Sequence, residues 1–354
     1  MKINLLLIFF LLPSCICLAQ LTEDAKLLVG HWKWKQANIR CKETPLLNED
    51  RINWPTYYLT FHEDFTKGQR SILDRGLTIN SQFGKWHLES GGKKLFMFPD
   101  EGKSSDSKPV KIKKLNEKEL KMVVLNEFIG DPTVEGSPPS QVGYSTVVYE
   151  RVNDLSQVLF LTKLGNYWVE NTEVLNAHWC EYEDAQSIKV DSLSSRLANI
   201  KKPVDACKHP GEALKPVVMV TYEQALAYCR WKSTYISKLI GQPVTYRLPT
   251  LQEWMQIAGE LASTKQDELN SEIAESKSRS VTEQDPYHTS ASKLDTEEIV
   301  HLFDNVSEMT ATKGKSVGGN MRQNLTTEEN LKKVLSYQDR QYLLGFRCIV
   351  EFGE

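Results

Sequence analysis

Thr221 to Gly259 reads TYEQALAYCRWKSTYISKLIGQPVTYRLPTLQEWMQIAG, and two helix starts are written in it. Thr221 with Gln224, and Thr250 with Glu253, have the Thr-x-x-Glu/Gln spacing of a capping box, in which hydroxyl and carboxylate or amide satisfy orphan backbone N–H groups reciprocally. Behind the first, Tyr222, Ala225, Cys229, Ile236 and Leu239 recur at helical spacing until Gly241 offers a stop. Behind the second, Trp254, Ile257, Ala258 and Leu261 repeat the pattern. The spacing predicts two helices joined tightly through Arg247, Leu248 and Pro249.

Upstream, Asn176 is placed to cap a further helix running to Glu183, and the chain from Gln186 to Pro216 is polar and carries Cys207. Downstream, Glu260 to Glu298 is dominated by Ser, Thr, Glu and Lys, and reads as the least structured part of this half.

The central stretch resembles the formylglycine-generating enzyme (sulfatase-modifying factor) family in Ala225 to Trp231 (A-x-A-Y-C-x-W) and Tyr246 to Trp254 (Y-R-L-P-T-x-x-E-W). Glu173 to Ala177, Asn305 to Thr310 and Gly345 to Cys348 are similar to three further family segments, in the family's order. The resemblance spans about Leu159 to Glu354. It implies an α+β, C-type-lectin-related domain over residues 158–354, with Arg247, Glu253, Trp254, Asn305 and Phe346 as structural residues. It does not by itself grant an activity.

Gln20 to Val152 alternates differently. Tyr57, Leu59 and Phe61 interleave with Tyr58, Thr60 and His62, and short runs follow at 85–88, 94–98, 111–115, 120–125 and 145–152. Short strands at this spacing predict an antiparallel β-barrel or sandwich. Leu28 to Trp32, Gly84 to Trp86 and Tyr149 to Arg151 look similar to lipocalin-like barrels, so Trp32, Trp34 and Trp86 are read as core and barrel-end packing, with an apolar small ligand in the barrel as the other reading. Polar connections are expected at 100–109 and 130–143. The join at Asn153 to Gln157 is too short for a free linker, so the two domains should touch.

Residues 1–19 read as a secretory signal: Lys2, an apolar run from Leu5 to Leu12, and a small-residue exit at Ala19. The run is too short to span a bilayer. Two exits compete, cleavage after Ala19 and a lipobox at Leu12 to Cys15 that would leave a lipid on Cys15. The expected location is therefore the periplasm or cell envelope, with membrane attachment only through that lipid. A net charge of −3 with interspersed signs gives no footprint for nucleic acid.

Without the signal, Cys41, Cys180, Cys207, Cys229 and Cys348 remain, an odd number in a disulfide-permissive chain. The resemblance implies a Cys229–Cys348 disulfide; Cys180 with Cys207 is a second pairing that leaves Cys41 over. Active members of the family use two cysteines after a Gly-Gly to bind copper and oxidise a substrate cysteine. Those positions correspond here to Gln323 and Glu328 beyond Gly318-Gly319, and no cysteine lies between Cys229 and Cys348. Neither side chain is a soft ligand or a thiol nucleophile, so no copper cofactor and no catalytic residue is expected. The resemblance also places a calcium site at Glu308 with the backbone of Asp304 and Val306, although His301 stands where an Asn ligand is expected. The plainer reading is that Glu308 fixes a loop. His31, His62 and His87 fall on expected strands and could meet as a metal site, but no ligand spacing supports it. Asn305 and Asn324 match a glycosylation acceptor pattern, read as coincidence.

The sequence thus describes an exported lipocalin-like barrel followed by a catalytically silent sulfatase-modifying-factor-like domain, acting with an envelope protein partner in binding or scaffolding. The alternatives are formylglycine generation in sulfatases and ligand carriage by the barrel.

Overall fold

The alternation read in the first half closes on itself. In the computed structural model, which describes residues 21–40, 56–72, 79–89, 91–100, 108–128, 141–186, 210–279, 298–323 and 326–353, eight antiparallel strands form a closed barrel in chain order. They are β1 Gly30–Arg40, β2 Thr56–Phe61, β3 Thr66–Ile72, β4 Ile79–Leu88, β5 Lys94–Pro99, β6 Val110–Leu115, β7 Glu119–Phe128 and β8 Gln141–Val152. β8 returns to pair with β1, setting Trp32 opposite Arg151.

Trp32, Leu59, Phe61, Trp86, Leu95, Ile112, Leu120 and Met122 fill the barrel core, with Trp34 packed against them. Helix α1 (Glu23–Leu28), capped by Thr22, closes one end. Trp32 Nε1 donates to the Leu28 carbonyl at 2.8 Å, and the Arg151 guanidinium lies 4.3 Å above the indole ring. The same guanidinium donates to the carbonyls of Val29 at 2.7 Å and of Leu27. One cation therefore ties the last strand to the plug helix and covers a core indole.

β3 lacks apolar alternation because its outer face is not solvated. Gly68 and Arg70 are buried there against the second domain. A Cβ on Gly68 would sit 2.5 Å from the Leu239 carbonyl oxygen, so only glycine permits this approach. Beside it, Phe83 meets Tyr235 edge to face at 5.0 Å, and Lys238 lies 4.2 Å above the Phe83 ring and 3.1 Å from Asp100. The connection between the halves is itself helical: α2 (Leu155–Leu159) is capped by Asp154 and packs Val158 with Tyr58 and Val152.

The second half carries α3 (Asn176–Gln186), α4 (Pro210–Ala213), α5 (Tyr222–Ile240), α6 (Leu251–Arg279) and α7 (Thr327–Lys332). Two four-stranded sheets accompany them. One has the order β11 (Val244–Arg247), β16 (Ile349–Phe352), β10 (Tyr167–Glu170), β9 (Leu161–Leu164), and the other β14 (Leu335–Ser336), β13 (Lys315–Val317), β12 (Ser307–Met309), β15 (Leu344–Gly345). Both capping boxes form. α5 starts at Thr221 with its reciprocal Gln224 bonds and stops at Gly241 with φ 77°, and Thr250 and Glu253 exchange bonds of 2.8 and 3.2 Å.

Two expectations are corrected. The join between these helices is a strand, β11, whose Val244 and Tyr246 alternate inward. The stretch from Glu260 is helical as far as Arg279, because Leu261, Ala262, Leu269 and Ile273 lie on one buried stripe with Trp254 and Phe303. Its polar composition is the solvated side of an amphipathic helix. Residues 280–297 lie outside the described residues, as do Cys15, Cys41, Cys207, Asn324 and the signal stretch.

Candidate functional site

The two sheets of the second half are bolted together by buried charge. The segment before β12 folds back so that Asp304, Asn305 and Glu308 are all at most 3 % exposed, while Arg347 arrives from the turn between β15 and β16 at 2 %. Arg347 Nε donates to Glu308 Oε1 at 2.9 Å, Nη1 to the Glu170 carbonyl at 2.9 Å and Nη2 to the Val300 carbonyl at 2.7 Å. The other Glu308 oxygen accepts from Trp254 Nε1 at 3.1 Å. Glu173, fully buried, accepts from Asn305 Nδ2 at 3.2 Å, and its second oxygen stands 4.0 Å from Arg347 Nη2.

Burial lifts the Glu173 carboxyl to about 7, against the pull of His301 and Arg347. Burial also raises Glu308, opposed by Arg347. At His301 burial works against charge, but Asp304, 3.1 Å from Nδ1, together with Glu173 and Glu272 outweighs it and brings the imidazole to about 8. A second buried pair lies alongside: Lys232 donates to Glu170, whose other oxygen accepts the Cys348 backbone N–H at 3.1 Å.

This donor set suits calcium poorly. Both oxygens of Glu308 already accept N–H groups, and the position for an Asn ligand holds an imidazole that faces Asp304 and favours its protonated form. Calcium asks for six or more oxygens. Among the described residues no group of three or more His, Cys, Asp or Glu side chains is arranged to hold a metal ion.

Arg247 and Glu253 form a bidentate pair at 2.7 and 2.8 Å, which holds the Glu253 carboxyl down at about 2 and binds β11 to the start of α6. Phe346 packs into the aromatic cluster of Trp179 and Tyr228, at 6.3 and 5.4 Å between ring centres. Gln323 and Glu328 part company. The Gln323 amide oxygen is buried without a hydrogen-bond partner, whereas Glu328 lies exposed on α7 and pairs with Lys332 at 2.6 Å. Cys229 and Cys348 meet in the core as thiols with their sulfurs 3.5 Å apart.

The three histidines do not assemble. His31 and His62 line a cavity of about 770 Å³ between the barrel and the end of α5, together with Asp64, Lys238 and Gly241. His87 is on the exposed outer wall, its ring 6.2 Å from that of Phe96.

The family model described as the sulfatase-modifying factor enzyme 1-like domain matches residues 160–280. The chain carries a sulfatase-modifying factor enzyme 1-like domain. The match covers β9 to α6 and stops before Glu308 and Arg347. β16, outside the match, inserts between β10 and β11 of the matched part. No curated protein and no solved structure matches the chain.

Sequence reasoning missed Arg347, Glu173 and the Lys232–Glu170 pair as members of one cluster. A signal for Lys232 was present: it falls between Cys229 and Ile236 on the apolar stripe of α5, where a solvated lysine does not belong.

Proposed function

We propose that this chain is an exported, catalytically silent sulfatase-modifying-factor-like protein that binds or scaffolds at the cell envelope. A single observation carries the reading: the domain has no cysteine between Cys229 and Cys348, so the segment where the resemblance expects a copper-binding pair offers Gln323 and Glu328. Oxidation of a substrate cysteine there needs a soft metal site and an exchanging thiol. Glu328, turned to solvent beside Lys332, supplies neither. No helix among the described residues is long and apolar enough to cross a membrane, which fits attachment by partner or by a lipid on Cys15.

The test is incubation of the purified protein with copper, oxygen and a cysteine-containing sulfatase peptide, followed by mass spectrometry for the aldehyde. No product above a copper-only control is expected. Sustained turnover would transfer the protein to the oxidase class.

Export also sets the state of the core thiols. We infer that Cys229 and Cys348 are bridged in the exported protein, since a 3.5 Å sulfur contact needs only a small closure to reach bonding distance. Closing a loop of this length is worth about 4–5 kcal/mol in the chain-entropy model. Peptide mapping without reductant should recover the two as one linked species. Recovery of either as an alkylated free thiol would refute it.

A further inference from the structure

The barrel wall away from the second domain carries charge that the described residues do not balance. Lys85 on β4, Lys94 on β5, Lys111, Lys113 and Lys114 on β6, and Lys121 on β7 alternate with the buried Trp86, Leu95, Ile112 and Leu120, so they share the outer face. The register sets Lys94 opposite Lys111 and Lys114 opposite Lys121. Like charges directly across a sheet weaken it. Lys94 and Lys114 are relieved by Glu89 at 3.0 Å and Glu119 at 3.1 Å, but Lys85, Lys111, Lys113 and Lys121 have no ion-pair partner among the described residues.

Two aromatic rings stand among these lysines. Phe98 is opposite Lys85 and Phe96 opposite His87, and the two phenylalanine rings lie parallel at 6.4 Å. Both are half-buried and neither joins the barrel core. The second domain docks elsewhere, through β3 and the Phe83 end of β4.

We propose that this wall is a docking surface for an anionic lipid membrane, with the lysines over the headgroups and Phe96 and Phe98 in the interfacial layer. The patch belongs to a chain whose net charge is −3, so its sign is local to one face. Among the described residues, the outward-facing strand positions of the patch carry lysine but no arginine or amide side chain, which suits a diffuse layer of headgroups better than directional recognition of individual phosphates. The outer strands offer a wall and two apolar rings, the combination that holds a peripheral protein at a bilayer interface. This contact is independent of any lipid on Cys15.

The test uses the chain from Gln20 onward, which keeps every described residue and lacks the apolar leader and Cys15. It should co-sediment with phosphatidylcholine vesicles containing about a third phosphatidylglycerol, not with pure phosphatidylcholine, and should be released by about 1 M salt. Lys111→Gln and Lys121→Gln should each lower the partition coefficient about fivefold. Phe96→Ser should lower it while leaving the salt dependence unchanged. All three side chains lie outside the core, so circular dichroism should match the parent. Equal binding to neutral vesicles, failure to bind either kind, or unchanged binding by the Lys111→Gln/Lys121→Gln double variant would overturn the proposal. So would tighter binding to a single-stranded oligonucleotide than to vesicles of equal phosphate concentration, which would assign the wall to nucleic acid.

Discussion

Arg347→Ala should destabilise the sulfatase-modifying-factor-like domain by about 3–5 kcal/mol, the range found when one partner is removed from a buried ion pair. The guanidinium is 2 % exposed and donates in three directions, to Glu308 and to the carbonyls of Glu170 and Val300. Without it, Glu308 keeps only Trp254, and Glu173 loses the nearest permanent positive charge. The expected cost is a large part of the roughly 5–15 kcal/mol that holds a domain together. Lysine should rescue little, because a single ammonium cannot reproduce the fork. Arg347→Met with Glu308→Gln should recover much of the loss, since it removes the stranded charge as well as its partner. Guanidinium unfolding followed by circular dichroism reads all of these. A loss below about 1 kcal/mol for Arg347→Ala would mean that the cluster does not depend on this cation.

Acid should loosen the barrel against its neighbour well before general acid unfolding. His31 is half-buried at the inter-domain cavity, where desolvation first, then His62 and Arg151, hold its imidazole down to about 4. The folded value lies below the unfolded one, so the neutral ring contributes its full share above pH 6.5. That share is lost as the pH falls through 6.5 toward 4. The displacement is worth about 3 kcal/mol. His62 is also lowered, by burial against the opposing pull of Asp64 and the carbonyls of Leu239 and Lys238, and it adds to the same trend. Glu63, Asp64 and Lys238 complete the charged groups facing the cavity. Denaturation midpoints measured from pH 7 to pH 4 should fall for the parent and much less for His31→Gln. Parallel slopes for the two proteins would exclude His31 as the source.

What the sequence discloses is what short range decides. Thr221, Gln224, Thr250, Glu253 and Gly241 act within one turn of their own helices, so spacing alone locates them. The barrel strands that face solvent on one side, such as β4 with Lys85 and His87 exposed about the buried Trp86, show their alternation for the same reason. β3 does not, because both of its faces are covered: Lys67 and Arg70 are buried, and burial drives the Lys67 amine down. Composition misleads over residues 260–279, where the polar average hides the buried stripe of Leu261, Leu269 and Ile273. A change of backbone at Lys265, φ −133° and ψ 35°, also shifts the phase of the stripe partway along. The charge cluster lies furthest from reach. Asn305 meets Glu173 across 132 positions and Arg347 meets Glu308 across 39, and nothing local to any of the four names its partner.

Helix α5 belongs to two packing problems at once. Its Tyr228, Cys229 and Ile236 build the core of its own domain, while Tyr235, Lys238 and Leu239 lie on the barrel wall. Synthesis runs from the barrel toward this helix, and the last barrel strand ends at Val152 whereas α5 begins only at Tyr222. The barrel can therefore close first, N-terminal units generally folding ahead of later ones. It then displays Gly68, Arg70 and Phe83 as a finished but uncovered face. α5 must condense onto that face while its own core is still forming. If the barrel closes first, the later half folds against a template, and its orientation is inherited from the barrel instead of being set by docking two completed bodies.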